Sequence, residues 1–182
     1  VLWLLHGLTG IHSDWLRNTN IARYVAPYNL AVVMPSAHNS GYVDMAHGQK
    51  FYTYIAEELP QAMRTHFNLS SRREDNFIAG LSMGGFGTWY TAMARPDLFA
   101  AIAPVCGGGM AWNAGVLNMP VWVFHGAKDT TVSPTQSDEM VERLRALGKD
   151  VTYSRIEGVG HNVWEYAYNR ELLAWLLSKK RG

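Results

Sequence analysis

The sequence predicts an α/β fold built on a mostly parallel sheet of about six strands, with helices on both faces. Short apolar runs alternate along the chain with segments of helical periodicity, which is the order of repeated strand–helix units. Most of these runs are apolar at every position, as expected for strands covered on both faces. The strand candidates are Val1–His6, Leu30–Met34, Phe77–Ala79, Ala101–Val105, Val121–His125 and Val151–Ile156. The last of them alternates apolar and polar residues, which favours a position nearer the sheet edge.

Three further segments have the spacing of amphipathic helices. Gln49–Phe67 carries its apolar residues on one face, and Pro60 predicts a kink within it. A second helix begins at Ser133-Pro134-Thr135-Gln136, which has the pattern of a capping box with proline at the first helical position, and ends at Gly148. The last helix is predicted over Tyr168–Ser178.

Length and composition favour a single domain over residues 1–182. The net charge of +1 offers no general attraction for nucleic acid or an anionic membrane, and no apolar run approaches the ~18 residues that a membrane span needs. Cys106 is the only cysteine, so no intramolecular disulfide can form, and a soluble, cytoplasmic protein is expected. The chain opens at Val1 inside a predicted strand and without an initiator methionine. We therefore expect a fragment, a processed form or a deliberately minimal form, with any localisation signal outside it.

The segment Gly80-Leu81-Ser82-Met83-Gly84-Gly85 carries the strongest chemical signal. It joins the strand candidate Phe77–Ala79 to a predicted helix over Gly84–Arg95 that stops before Pro96. A sharp strand-to-helix turn with the pattern G-x-S-x-G is a nucleophile elbow, in which a strained serine is exposed at a helix N-terminus. The alternative is a glycine-rich turn that happens to contain a serine. The strand–turn–helix context favours Ser82 as a nucleophile.

A serine nucleophile needs a base and an acid that orients the base. Asp129 follows the fifth strand candidate, and His161 follows the sixth after two glycines. Reactive groups collect at the carboxyl ends of parallel strands, and the order serine, aspartate, histidine is that of α/β-hydrolases. The rival acids are Asp138, interpreted as a solvated charge on a helix, and Glu157, which precedes the histidine on the same strand end. The predicted triad is therefore Ser82, Asp129 and His161.

The other histidines have structural interpretations. His6 and His125 close predicted strands and are expected to bond loop backbone, while His66 ends a helix. Three more lie in loops that could line the pocket, namely His12, His38 and His47. Cys106, at a strand end, is interpreted as a small buried hydrophobe.

Acyl transfer also requires N–H donors for the oxyanion. One is expected from Met83, directly after the nucleophile, and the other from Leu8 in the loop after the first strand candidate, with Thr9 as the alternative. Trp15 and Trp164 follow catalytic loops and are substrate-binding candidates, the alternative being surface packing. We also consider Asp44, as a structural or substrate-side residue.

The sequence contains no motif for binding a metal ion or a nucleotide. Paired cysteines, H-E-x-x-H and carboxylates at ligand spacing are missing, and neither G-x-G-x-x-G nor a P-loop follows a strand candidate. The glycines after the serine belong to the elbow helix, where close packing explains them. No metal and no cofactor are expected.

Five segments in the first half of the chain match the pattern of a known family. They are His6-Gly7-Leu8-Thr9-Gly10, Val33-Met34-Pro35, Gly41-Tyr42-Val43-Asp44, Glu57-Glu58-Leu59-Pro60 and Ile78-Ala79-Gly80-Leu81-Ser82-Met83-Gly84-Gly85. Over about residues 1–105 the chain resembles the esterase D-like group of α/β-hydrolases, above all its tributyrin esterases. S-formylglutathione hydrolases and feruloyl or acetyl-xylan esterases are relatives of that group.

The second half of the chain resembles different members of the same superfamily. Pro120–Asp129 and Gly158–Asn162 are similar to compact predicted peptidase or phospholipase-like esterases. The resemblance implies the α/β-hydrolase fold, hydrolysis of carboxylic esters, no cofactor and the same triad. The family has strands before the H-G segment that this chain lacks, and the short stretch Val105–Met119 leaves little room for a cap domain.

These observations predict a serine carboxylesterase whose partner is a small-molecule ester. A pocket without a cap suggests small or accessible esters, with short acyl groups such as acetyl, or feruloyl and cinnamoyl groups. The alternatives are a thioesterase of the S-formylglutathione type and a non-catalytic, hydrolase-like binding module; a peptidase is a weaker alternative. If the family's first strands are missing, Leu30–Met34 becomes an exposed sheet edge that could support a homodimer.

Overall fold

A computed structural model describes residues 1–179 and contains one six-stranded sheet in the order β2-β1-β3-β4-β5-β6. The strands are β1 (Leu2–Leu5), β2 (Val32–Val33), β3 (Phe77–Leu81), β4 (Ala101–Val105), β5 (Val121–Gly126) and β6 (Val151–Ile156). Every neighbouring pair is parallel. The predicted fold class is therefore confirmed, and β6 lies at a sheet edge as its alternating pattern indicated.

Helices cover both faces of this sheet. They are α1 (Asp14–Asn18), α2 (Ile21–Val25), α3 (Phe51–Thr53), α4 (Leu59–His66), α5 (Met83–Ala94), α6 (Thr135–Ala146), α7 (Trp164–Ala167) and α8 (Arg170–Ser178). Short 3₁₀ turns cover Arg73–Asp75, Ala111–Val116 and His161–Val163. None of the helices within residues 1–179 combines the length and the apolar character that a membrane crossing requires.

Two apolar layers hold the helices against the sheet. Strand β1 shows the alternation, because Trp3 and Leu5 face one layer while Leu2 and Leu4 face the other. The first layer also contains apolar residues of α5 and α6, and the second contains those of α1, α2 and α8. All four strand residues are nearly inaccessible to solvent, which explains why the sequence of this strand is apolar at every position.

The long helix predicted over Gln49–Phe67 is divided by a wider turn. Residues Tyr54–Glu58 form a π-helical turn between α3 and α4, in which the N–H of Leu59 bonds the carbonyl of Tyr54. Pro60 follows at the start of α4. Because proline has no N–H and its ring crowds the carbonyl four residues earlier, the chain widens before it. The irregularity expected at the proline thus takes the form of a π turn that ends two residues before it.

Two predicted helix starts need correction. The last helix begins at Arg170 and not at Tyr168, because Asn169 is extended and its side chain accepts the Leu172 N–H at 2.9 Å. The predicted capping box does not form in α6: Ser133 Oγ accepts only a long bond of 3.4 Å from the Thr135 N–H and lies 2.8 Å from Thr135 Oγ1, and Gln136 does not bond that hydroxyl.

The other end of α6 agrees with the prediction. Gly148 has a φ of +65°, and its N–H bonds the carbonyl of Arg145. A left-handed residue at this position favours glycine and ends the helix.

The sheet topology brings the chemical residues together. Because all strands are parallel, their carboxyl ends meet at one edge of the sheet. The loop containing Leu8 follows β1, Ser82 follows β3, Asp129 follows β5 and His161 follows β6. Residues that are far apart in sequence therefore share one end of the fold.

Candidate active site

Ser82 occupies a strained turn between β3 and α5. Its φ is +53° and its ψ is −116°, a conformation that L-residues rarely adopt. Backbone packs so closely around this turn that the positions two residues before and after the serine have no room for a side chain. A Cβ atom at Gly80 would lie 2.3 Å from the Gly84 carbonyl oxygen, and one at Gly84 would lie 2.2 Å from the Leu5 carbonyl oxygen. The glycines are thus required by contact distance, as the elbow pattern predicted.

Hydrogen bonds join the three predicted triad residues in series. His161 Nε2 lies 2.9 Å from Ser82 Oγ, and His161 Nδ1 lies 2.6 Å from Asp129 Oδ2. The side chain of Asp129 is fully buried, whereas that of His161 is 19% exposed. The imidazole therefore contacts the hydroxyl on one side and a buried carboxylate on the other, and it remains open to solvent along one edge.

Asp129 is held as a carboxylate by several donors. Its Oδ1 accepts the N–H groups of Thr131 and Val132, each at 2.9 Å, while Oδ2 accepts from His161. Burial by itself raises the pKa of Asp129, but the hydrogen bonds from His161 and from the two backbone N–H groups outweigh it, so the pKa is lowered. A buried acid that stays ionised is suited to orient an imidazole.

The two rival acids make other contacts. Asp138 Oδ1 accepts from the Tyr153 hydroxyl at 2.6 Å and lies 3.3 Å from Arg155 Nε, so it is a bonded residue between α6 and β6 and not a simply solvated charge. Glu157 is exposed and pairs with Arg155 at 3.3 Å. Neither carboxylate is bonded to His161.

The two candidate oxyanion donors lie at the ends of β1 and β3. Met83 is the first residue of α5, where an N–H has no intrahelical acceptor. Leu8 lines the cleft beside Ser82. The N–H of Thr9, the alternative, donates to Asn39 Oδ1 at 2.7 Å. This bond favours Leu8 over Thr9 as the second donor.

A cleft of about 420 Å³ opens next to Ser82. Both Trp15 and Trp164 line it. The Trp164 ring stands edge-on to the His161 ring at 5.4 Å, and Trp15 is buried edge-on against Tyr168 at 4.8 Å. The lining residues are His6, Gly7, Leu8, Thr9, Gly10, Asp14, Trp15, Asn18, Thr19, Leu81, Ser82, Thr131, His161 and Trp164. Asp14 is the one acid in this lining, which contains no lysine or arginine.

Asp44 does not lie in this cleft. Its carboxylate accepts the N–H and the hydroxyl of Thr53, at 3.0 Å and 2.6 Å, and its backbone bridges to Lys50. These contacts support the structural alternative for Asp44. The loop histidines that were considered for the pocket, His12, His38 and His47, are also outside the cleft lining.

The two strand-closing histidines bond loop backbone, as expected. His6 Nδ1 lies 2.7 Å from the Gly7 carbonyl oxygen, and His6 Nε2 accepts the Ala37 N–H at 2.9 Å. His125 Nε2 lies 3.0 Å from the Val132 carbonyl oxygen. Burial lowers the pKa of both histidines, so each is neutral near pH 7.

One group of side chains within residues 1–179 could offer metal ligands. It consists of Cys106, Asp129 and His161, whose ligand atoms lie within 4.8 Å of one another. Asp129 and His161 are already bonded to each other, and burial raises the pKa of the Cys106 thiol to about 12. A thiol that keeps its proton is a poor metal ligand. Cys106 is fully buried, in agreement with its interpretation as a hydrophobe.

Several residues of the cleft were not predicted from the sequence. Asp14, Asn18 and Thr19 come from the region of α1, a helix of five residues that is too short to show clear periodicity. Thr131 enters through the turn that its N–H makes with Asp129. Asx turns of this kind have a local signal, an aspartate followed by polar residues, that could have indicated it.

Comparison with known proteins adds to this geometry. The model of a family described as "Putative esterase" matches residues 1–142. An acetyl esterase of Caldicellulosiruptor saccharolyticus is 39% identical over 102 residues, which cover 56% of this chain and 38% of that protein. An S-formylglutathione hydrolase of Paracoccus denitrificans (strain Pd 1222) is 30% identical over 130 residues, covering 58% of this chain and 46% of that protein. The chain thus spans less than half the length of these two relatives.

A solved structure has the same fold over nearly the whole chain. FphF, a fluorophosphonate-binding serine hydrolase of Staphylococcus aureus, superposes with a TM-score of 0.83 at 26% identity. The match covers 97% of this chain and 82% of that one.

Proposed function

The chain belongs to the esterase family whose model matches residues 1–142, and we propose that it is a serine carboxylesterase acting through an acyl-enzyme. The observation that carries the proposal is the hydrogen-bonded series from Asp129 through His161 to a strained Ser82. A nucleophile, a base and an orienting acid bonded in this order form the arrangement that nucleophilic acyl transfer uses.

In the first half of the proposed reaction, Ser82 Oγ attacks the ester carbonyl. His161 Nε2 accepts the hydroxyl proton, and Asp129 stabilises the imidazolium that forms. The N–H groups of Leu8 and Met83 donate to the oxyanion. When the tetrahedral intermediate collapses, the C–O bond to the alcohol breaks, and His161 delivers its proton to the leaving oxygen.

In the second half, water hydrolyses the acyl-enzyme. His161 removes a proton from the water as its oxygen attacks the acyl carbonyl, and the same N–H groups stabilise the second oxyanion. Collapse returns the proton to Ser82 Oγ and releases the carboxylic acid. The 19% exposure of the His161 side chain supports access for this water.

Small or accessible esters are the proposed substrates. A short acyl group such as acetyl is supported by the similarity to an acetyl esterase. The cleft of about 420 Å³ also has room for a flat acyl group, and Trp15 and Trp164 in its lining could pack against feruloyl or cinnamoyl rings.

A thioesterase of the S-formylglutathione type is the second candidate. The similarity to an S-formylglutathione hydrolase favours it. The charge of the cleft argues against it, because glutathione carries a net negative charge and the acid in the lining, Asp14, is not balanced there by a lysine or arginine. We therefore rank a neutral ester above this thioester.

A non-catalytic binding module is the third candidate and belongs to a different class. Such a protein needs neither a strained serine nor its hydrogen bond to His161. It would bind an ester without forming a covalent bond to Ser82.

The test is pre-steady-state hydrolysis of p-nitrophenyl acetate. The proposal predicts a burst of p-nitrophenol equal to the enzyme concentration, followed by a slower steady state. Ser82→Ala should abolish both phases, whereas Ser178→Ala, which changes an exposed serine in α8, should leave both unchanged. Near-normal turnover by Ser82→Ala would contradict the proposal. S-formylglutathione and a peptide anilide at equal concentration separate the thioesterase and peptidase alternatives.

We also propose that a homodimer could form through β2. This strand has two residues, Val32 and Val33, and lies at one edge of the sheet. An edge strand presents unpaired backbone groups to a second copy. Light scattering tests this: the mass of a dimer supports it, and the mass of a monomer across the micromolar range contradicts it.

A further inference from the structure

We propose that His125 is a positioning residue that holds the carboxylate of Asp129 in place for His161. The inference rests on the proposed function, because it concerns the geometry of the same triad. His125 is the second-last residue of strand β5, and its side chain and that of Asp129 are both fully buried. Nothing in the esterase reaction requires His125 to exchange a proton with substrate.

The Nε2 side of His125 contacts Asp129 in two ways. Nε2 lies 3.2 Å from Asp129 Oδ2, the same oxygen that accepts from His161. It also lies 3.0 Å from the carbonyl oxygen of Val132, whose N–H donates to Asp129 Oδ1 at 2.9 Å. The ring thus holds the carboxylate directly and also through the turn that wraps around it.

The partners of His125 decide where its protons lie. Nε2 faces only acceptors, a carbonyl and a carboxylate, so it must carry a hydrogen. Nδ1 lies 2.7 Å from the hydroxyl of Ser137, which can donate to it. A neutral ring with its hydrogen on Nε2 donates to the Val132 carbonyl oxygen, and Asp129 Oδ2 lies close enough to share that hydrogen. Nδ1 then accepts the single hydrogen of the Ser137 hydroxyl, for which the Gly107 carbonyl oxygen competes.

On its Nδ1 side, the His125 ring is connected through Ser137 to the helix that follows the nucleophile. The hydroxyl of Ser137 also lies 3.0 Å from the Gly107 carbonyl oxygen. Gly107 packs so tightly on Gly85 of α5 that a Cβ atom there would lie 2.5 Å from the Gly85 carbonyl carbon. One buried series of contacts therefore connects the start of the nucleophile helix with the acid of the triad.

The charged and titratable groups that pack around His125 come from the loops after β4, β5 and β6 and from α6 and β6. Asp129 faces it from the loop after β5, and His161 and Cys106 lie on the far side of that carboxylate, within 4.8 Å of it. Asp138 on α6 acts on it through its charge, and Arg155 is its register partner on β6. Arg155 is already bonded to Asp138, which leaves Asp129 as the acid in contact with the ring.

A matched pair of substitutions separates the two sides of the ring. In His125→Gln the side-chain amide can reach the place of Nε2, whereas in His125→Asn it reaches only the place of Nδ1. His125→Asn should lower kcat by about tenfold to a hundredfold, since a hydrogen bond to a charged group is lost, with little change in KM. His125→Gln should restore most of the wild-type kcat.

The pH profile of kcat/KM gives a readout that a purely structural role would not move. Without the N–H near Oδ2, the carboxylate of Asp129 stabilises the imidazolium more strongly, so the acid limb should move to higher pH in His125→Asn. The acid limb of His125→Gln should stay at the wild-type position. Equal kcat values in the two variants, or an acid limb that does not rise in His125→Asn, would overturn the inference.

Two further measurements keep this test independent of folding and of the proposed function. Labelling of Ser82 by a fluorophosphonate, read by mass spectrometry, shows whether the wild-type serine is reactive, so an inert Ser82 counts against the esterase and not against His125. Long-range ¹H–¹⁵N correlation on the wild-type protein reports the ring tautomer. A hydrogen on Nε2 supports the inference, and a hydrogen on Nδ1 alone overturns it even if neither variant folds.

Discussion

The backbone N–H of Thr9 donates to the side-chain oxygen of Asn39 at 2.7 Å. This bond joins the loop after β1 to the loop after β2, and it holds Thr9 at a φ of +62°. It also occupies the one N–H that could compete with Leu8 as an oxyanion donor. The loop that carries Leu8 is therefore held by a residue, Asn39, that belongs to neither the triad nor the elbow.

Asn39→Ala should weaken transition-state stabilisation. The loss of one neutral hydrogen bond is expected to lower kcat by about twofold to tenfold while KM changes little, because the loop carrying Leu8 is no longer held. Steady-state kinetics with p-nitrophenyl acetate measure the effect. Asn39→Asp keeps an acceptor for Thr9 and serves as the control. The assignment of Leu8 fails if the alanine variant is as active as the aspartate variant.

Gly84→Ala should destabilise the fold strongly. Its new Cβ would lie 2.2 Å from the Leu5 carbonyl oxygen, and the three nearest atoms all belong to the backbone of Leu5 and His6, which cannot rotate away as a side chain could. We expect a loss of about 3 kcal/mol or more in the free energy of unfolding, measured by urea denaturation. Gly115→Ala is the matched control, because its nearest neighbour atom is 4.0 Å away. Equal stability of the two variants would show that α5 does not pack as described.

Stability should fall as the pH drops below about 6.5, partly because of His6. Burial lowers the pKa of His6 more than its hydrogen bond to Gly7 raises it. The unfolded chain therefore binds a proton at a higher pH than the folded protein does. The contribution of neutral His6 is complete above the ordinary pKa of 6.5 and is lost as the pH falls from there toward the lowered folded pKa.

His6→Gln tests this contribution, since its amide oxygen can still accept the Ala37 N–H but does not titrate. The variant should lose less stability than the wild type between pH 7.5 and pH 5.5, a range chosen to span about one unit on either side of the ordinary histidine pKa. Thermal unfolding at the two pH values gives the difference. The stability of the variant should still depend on pH to some degree, because burial also lowers the pKa of His125. Identical pH dependence in both proteins would rule out a contribution from His6.

Asp14 should select against anionic substrates. It is the acid of the cleft lining and is only partly buried, so its effect should be modest and sensitive to salt. Asp14→Asn should raise kcat/KM for S-formylglutathione several times more than kcat/KM for p-nitrophenyl acetate. In the wild type, added salt should raise kcat/KM for S-formylglutathione and leave kcat/KM for p-nitrophenyl acetate nearly constant. If Asp14→Asn leaves the ratio of the two kcat/KM values unchanged, Asp14 does not contribute to this selectivity.

Much of the fold and of the site geometry could be predicted from local signals. Strands covered on both faces are apolar at every position, so β1, β4 and β5 were placed within one or two residues. The resemblance to esterases is confirmed by the family match. The elbow pattern identified Ser82, and parallel topology explains why Asp129 and His161 lie beside it. Their catalytic roles remain predictions.

The rest depends on tertiary contacts that no local pattern contains. The capping box at Ser133 failed because a serine hydroxyl has alternative partners nearby, and here it lies against Thr135. Asp44 bonds Thr53, which lies nine residues further along the chain in α3, and spacing could not reveal this contact. The contact between His125 and Asp129 requires both a strand end and a turn to be in place. It is visible only once the loop after β5 is folded.

The central claim is that Ser82 becomes acylated, and the covalent intermediate can be observed directly. The protein is mixed with p-nitrophenyl acetate, quenched in acid during the steady state, digested and analysed by mass spectrometry. We predict the added mass of one acetyl group on the peptide containing Ser82, and none on that peptide from His161→Ala under the same conditions. Turnover by the wild type without an acetylated Ser82, or with the acetyl group on another residue, would contradict the account.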